Sequence, residues 1–170
     1  VGYLARYVVL ILLSCASWAG ETIEPTNSLR PGDLVPDFTL PAVNGFGQRL
    51  AEARGAPLMI VWLGRCDECS ETLVRYQLLA ESLAMDGLKG WFVWTPEGKD
   101  QPPKMRLPVL KYEPRWNQGW QFEGRPAVLL IDPDGELDHL ITGDLDDNYP
   151  ETEKVLMRWL SLGRDGQISE

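Results

Sequence analysis

The sequence predicts an α/β sandwich, a central mixed sheet flanked by helices with an N-terminal hairpin as an extension. Three observations carry it. There are three short apolar runs bounded by turn residues, "PLMIVWL" (57–63), "WFVWT" (91–95) and "AVLLI" (127–131). Right after the first run the apolar spacing changes to three and four residues. A second stretch with that spacing closes the chain. Continuous apolar runs of this length read as strands covered on both faces, and the longer spacing reads as amphipathic helix.

Taken in order, "VPDFTLPAVNGFGQRLAEARG" opens the domain. Phe38 and Leu40 alternate with polar residues, "NGFG" is a turn, and Leu50 begins a short return segment. Gly55 and Gly64 bound the first buried strand. From Cys66 onward, Leu73, Tyr76, Leu79 or Ala80, and Leu83 predict a helix, with Gly87 where a C-terminal cap belongs. The second strand, 91–95, leads into a loop over 96–106, a short strand "LPVL" and an aromatic segment "KYEPRWNQGWQF". After the third strand, "DPDG" is a turn with proline at its second position. "ELDHLIT" alternates as a half-exposed strand. The closing helix is expected from Pro150, with Val155, Leu156, Trp159 and Leu160 on one side.

With 170 residues, 44% of them hydrophobic, the chain can bury one ordinary core with an appendage to spare. Its formal charge of −9 repels phosphate backbones and anionic lipid, and no clustered basic stripe offsets this. Nucleic acid is excluded as an expected partner.

The appendage is N-terminal. Arg6, the apolar "YVVLILLSCA" and the small residues Ser17 and Ala19 give residues 1–19 the pattern of an export signal. A cleaved signal ranks first and an uncleaved membrane anchor second. A lipoprotein acylated at Cys15 ranks third. Residues 20–33 are polar and turn-rich and read as a linker, leaving 34–170 as the domain. The expected location is periplasmic or extracytoplasmic, free or tethered through the N-terminal segment.

The domain itself then holds two cysteines, Cys66 and Cys69. A bridge closing so short a loop adds little stability through chain entropy, because that contribution grows with loop length. Redox work explains the pair better. A redox dithiol needs one accessible, stabilised thiolate and a second thiol within reach to release a mixed disulfide. Cys66 falls where a buried strand ends and a helix begins, which supplies free N–H groups and the positive end of a helix dipole. Thiols so placed drop from about 8.5 to roughly 3.5–7.5 in pKa.

The stretch 34–163 resembles the TlpA/ResA-type thioredoxin-like proteins of bacterial envelopes. The resemblance rests on "VPDFTLPAVNGFGQRL", the apolar strand, C-x-x-C with its helix, and "EGRPAVLLIDPDGEL". In the last, Gly124, Pro126, Ile131, Asp132 and Gly135 match the family's G-x-P-x-x-x-x-I-D-x-x-G. The resemblance implies a thioredoxin-like sandwich and thiol–disulfide exchange with client proteins, with cytochrome c or oxidase maturation among the family's tasks. It implies catalytic roles for Cys66, Cys69 and Pro126, the last as a cis-proline beside the dithiol. It also places Arg125, Trp62 and Arg65 as candidate substrate contacts. A membrane or periplasmic electron donor, not identified by the sequence, would restore the dithiol. No cofactor beyond the Cys66–Cys69 disulfide and no resident metal is implied.

The chain departs from the pattern in three places. Arg65 precedes the motif where the family has tryptophan, Ile60 stands where thioredoxins bury an acid, and Thr72 stands where many relatives carry a glutamate. Glu68 and Glu71 are the substitute candidates for the proton relay. Asp67 and Glu68 disfavour a Cys66 thiolate while Arg65 and Arg125 favour it. The acids tilt the expectation towards a reductant.

Competing readings use the same residues. Two thiolates can clip Cu(I), which makes a metallochaperone-like protein the first alternative. A catalytically degenerate binding protein is the second. A thiol peroxidase requires Thr or Ser three residues before its cysteine and Pro seven before, where Leu63 and Met59 stand. His139, the single histidine, reads as a solvent-facing strand residue, and zinc lacks ligands. "GDLDDN" fails as a calcium loop because Tyr149 and Val155 occupy its glycine and glutamate positions. Tyr112, Trp116, Trp120 and Phe122 read as packing.

Overall fold

The structure, a computed structural model, describes residues 29–64, 70–96, 101–113 and 125–167. Its strands are β1 (Thr39–Leu40), β2 (Gln48–Arg49), β3 (Leu58–Trp62), β4 (Lys89–Trp94), β5 (Val109–Lys111), β6 (Ala127–Ile131) and β7 (Leu137–Thr142). The helices are α1 (Leu50–Ala53), α2 (Ser70–Ser82) and α3 (Leu145–Gln167). Five strands form one sheet in the order β5-β4-β3-β6-β7, with β3, β4 and β5 parallel and β6 and β7 antiparallel to their neighbours. β1 and β2 form a separate antiparallel hairpin. The predicted mixed sheet and N-terminal hairpin are both present.

β3 sits at the centre and is hydrogen-bonded on both sides, so all five of its residues are buried. Its side chains alternate between two cores, as a period of two requires. Met59 and Val61 meet α2 and α3 through Leu73, Tyr76, Leu79, Leu156 and Leu160. Leu58, Ile60 and Trp62 face the opposite layer, where Phe38, Leu40 and Leu50 close over the sheet. Gly90 in β4 faces α2 closely; a Cβ there would lie 2.9 Å from that of Ala80, which is why a residue without one stands at this crossing.

Several expectations are corrected. The return strand of the hairpin is Gln48–Arg49, and Leu50 opens a helical turn. Asp37 starts that turn: its carboxylate accepts the Ala51 N–H at 2.9 Å and the Arg49 Nε–H at 2.9 Å. The Ala51 hydrogen bond, with Arg49 adding to it, holds the Asp37 carboxyl below its usual range. Gly87 is left-handed, at φ 88°, but caps a 3₁₀ turn (Ala84–Asp86) that follows α2, not α2 itself. Arg30–Asp33, expected in the linker, dock on β7, where Gly32 N–H donates to the Leu137 carbonyl at 2.7 Å.

α3 begins at Leu145, five residues before the expected Pro150. Asp144 decides this: its Oδ1 accepts the N–H groups of Asp146 at 2.8 Å and Asp147 at 3.3 Å, an N-cap by side chain. Pro150 lies inside the helix, where its ring removes one backbone donor. β7 is less regular than the alternation predicted, with Asp138, His139 and Leu140 all half-buried and a register shift between Leu130 and Ile131. The His139 side chain is 44% exposed, in keeping with a solvent-facing strand residue, and its Nδ1 meets the Asp138 carboxylate.

Candidate functional site

The chain leaving β3 and the proline before β6 meet at one end of the sheet. The last residue of β3, Trp62, is opposite Ala127, the first residue of β6, so the chain leaving β3 and the chain entering β6 lie side by side. Leu63 N–H still donates to the Val93 carbonyl at 2.9 Å, and then Gly64, at φ 57°, turns the backbone out of the sheet. L-residues with side chains rarely adopt that left-handed conformation, so glycine fits the exit. α2 starts at Ser70. Arg65, Cys66, Glu68 and Cys69 lie between these two points, outside the described residues.

Pro126 stands immediately before β6 and is half-buried, with Arg125 exposed beside it. Its carbonyl accepts the N–H of Gly143, the residue after β7, at 3.0 Å. Its missing donor costs nothing at a strand start. The cis expectation is corrected: no peptide bond among the described residues is cis, and Arg125 and Pro126 are both described. Trans is the intrinsically preferred isomer even before proline.

Trp62 also moves. Its indole is 3% exposed and meets the Tyr112 ring edge-on at 4.8 Å, within the core beneath the site. A client has no indole surface to touch there, so Trp62 is a packing residue. Tyr112 packs as expected, while Trp116, Trp120 and Phe122 fall outside the described residues. Glu71 is exposed in the first turn of α2.

The residue that the sequence reading missed is Asp146. Thr72, 9% exposed, directs its hydroxyl to Asp146 Oδ1 at 3.3 Å, and Arg75 Nη1 meets the same oxygen at 2.8 Å. The Arg75 guanidinium lies over the Tyr149 ring, 4.0 Å from its centroid. One turn deeper, the Tyr76 hydroxyl donates to the Leu145 carbonyl at 2.9 Å. These contacts lock the first turn of α2 to the first turn of α3. They bring a carboxylate from a distant helix to Thr72, three residues after Cys69. An acidic first turn behind an Asp cap, "DLDD", was the available signal, and the more familiar Pro150 start obscured it.

Chemically, the described residues at this end offer a helix start, a carboxylate–guanidinium pair and a strand-entry proline. A helix start favours a thiolate placed beside it, and a nearby carboxylate disfavours one.

The fold has solved counterparts. The thioredoxin domain of a thiol-disulfide oxidoreductase from Bacteroides vulgatus matches with TM-score 0.58 at 19% identity, covering 75% of this chain and 98% of that one. A peroxidoxin from Mycobacterium tuberculosis matches with TM-score 0.60 at 18% identity, covering 76% and 97%. The pneumococcal exposed lipoprotein thioredoxin from Streptococcus pneumoniae matches with TM-score 0.54 at 21% identity, covering 70% and 98%. No protein-family model matches the sequence, and no curated protein matches it. At these identities the likeness establishes a thioredoxin-like fold. The neighbours so named are a thiol-disulfide oxidoreductase, a peroxidoxin and a lipoprotein thioredoxin.

Proposed function

We propose that this chain is an extracytoplasmic thiol–disulfide oxidoreductase of TlpA type, working as a reductase on client proteins. The observation that carries it is positional. The C-x-x-C segment joins the buried central strand, through Gly64, to the start of α2, at the sheet end where Pro126 enters β6. The peroxidase reading lacks its residues, with Leu63 and Met59 where Thr or Ser and Pro are needed.

The Cys66 thiolate attacks one sulfur of a client disulfide, forming a mixed disulfide and releasing one client thiolate. The Cys69 thiolate then attacks Cys66 Sγ, freeing the second client thiolate and leaving the Cys66–Cys69 disulfide. Two electrons pass to the client. An external dithiol donor, soluble or in the membrane, returns them. Backbone beside Arg125 offers an incoming client strand its hydrogen-bonding partners. Asp146, brought to Thr72, takes the place of the relay acid; Glu71 and Glu68 are its competitors for that role. The N-terminal segment carries the protein out of the cytoplasm and, if retained, tethers it. Among the described residues, which exclude that segment, no helix is long and apolar enough to cross a membrane.

Titration of the Cys66/Cys69 pair in dithiol buffers, read by alkylation, tests this. A reversible two-electron transition at roughly −200 mV or lower is the expected result. A value near about −120 mV would make the protein an oxidant. Absence of any reversible transition would overturn the redox reading, and stoichiometric Cu(I) retention would then identify a metal clip. In parallel, Cys69→Ser should accumulate disulfide-linked clients through Cys66, which a metal clip would not do.

A further inference from the structure

β7 is the outer strand of the sheet, and α3 crosses the face beside it. Leu156 and Leu160 of α3 are buried in the core, and the neighbouring stripe of the helix packs partly buried against the same cluster beside β7, the outermost strand among the described residues. That stripe is Val155, Trp159 and Leu162, at i, i+4 and i+7, one face of a helix. The result is a cleft of about 690 Å³ between β7 and α3, floored by those three residues and Pro150. Its size falls in the range of small-molecule sites, about 300–1,000 Å³. Leu162 is 64% exposed, so the outer end of the stripe meets solvent.

The charges at the rim are specific. Asp138 and His139 stand on the β7 side and engage each other. On α3 are Glu151, Lys154 and Arg158. Among the described residues, neither Lys154 nor Arg158 takes part in an ion pair, although the chain carries 25 acids. Two acids, Asp138 and Glu151, balance two cations over an apolar floor, and the cations are neighbours on α3 at i and i+4. On a strongly anionic protein this is an apolar cleft with a formally neutral rim, whose two cations form no ion pair among the described residues.

We propose that the β7–α3 cleft binds a free, single-chain amphipathic anion, an acyl or aryl group bearing one carboxylate. Its apolar part lies along Val155, Trp159 and Leu162, and its carboxylate meets Lys154 and Arg158. A bilayer is disfavoured as the source, because the formal charge of −9 repels an anionic lipid surface. The site is separate from the dithiol end. Lys154 is nine residues beyond the start of α3, about 13 Å along a helix axis.

The test uses the full chain and decanoate, below its micelle-forming concentration, followed by calorimetry and tryptophan fluorescence. Saturable one-to-one binding is expected. The double variant Lys154→Gln/Arg158→Gln should weaken it about tenfold or more, and Leu162→Glu, at an exposed position, should do so independently. All variants should keep the wild-type redox potential, so failure here is distinguishable from failure of the oxidoreductase reading. The proposal is overturned if decanoate does not saturate, if uncharged decyl maltoside binds equally well, or if the double variant binds unchanged. Binding to phosphatidylglycerol vesicles without binding free decanoate, or concentration-dependent self-association blocked by Leu162→Glu, would likewise overturn it.

Discussion

Tyr76 shows how one side chain serves both the core and the site. It is fully buried, its hydroxyl reaches the Leu145 carbonyl at 2.9 Å and Thr152 Oγ1 at 3.4 Å, and its ring meets Tyr149 edge-on at 5.2 Å. Burial pushes its phenol above the usual range, and burial does the same to Tyr112 and Tyr149. An acid whose folded-state pKa is raised contributes stability that is complete below the unfolded value and is lost as pH rises through the folded one. Stability should therefore hold up to about pH 10 and fall above it. Tyr76→Phe should cost about 1 kcal/mol near neutrality, through the lost hydrogen bond, and should flatten the alkaline decline. Urea unfolding across a pH series measures both; an unchanged decline would remove Tyr76 from the account. The helical spacing marked Tyr76 as a core position, but its polar partner lies 69 residues away and left no local trace.

At the level of elements, the start of α3 is more than a helix cap. Asp144 fixes where the helix begins, and that places Asp146 against Thr72 and Arg75 of α2. The Arg75–Asp146 pair is largely exposed, so it adds well under about 1 kcal/mol to stability. Its influence on a neighbouring thiolate is a separate matter. Asp146→Asn removes a negative charge beside the helix that follows the dithiol, which favours the thiolate and hence the reduced form. The redox potential should rise, while the urea midpoint should barely move. An unchanged potential would return the relay role to Glu71 or Glu68.

For the whole molecule, net charge opposes compactness. The formal charge of −9 makes self-repulsion a global term, whereas the ion pairs Arg49–Asp37, Arg106–Glu81, Lys111–Glu113 and Arg75–Asp146 are local. Salt weakens both, but the repulsion acts over longer distances. Raising ionic strength from about 0.01 to 0.15 M shortens the screening length from roughly 30 to 8 Å. The melting temperature should rise by a few degrees over that interval. A fall would mean that the local pairs outweigh the global charge.

By itself the sequence determined the strands, because β3, β4 and β6 are short apolar runs whose environment is written in consecutive residues. It also determined the candidate dithiol, since strand, cysteine pair and helix follow one another along the chain. Tertiary structure alone decided which residues from elsewhere meet that end of the sheet. Trp62 became a core residue because Tyr112 closes over it, Asp146 reached Thr72 across 74 positions, and the bond before Pro126 took the trans form. Capping and periodicity act within a few residues and can be read locally. Which helix ends meet is set by sheet order and layer packing, and no short window of sequence contains that.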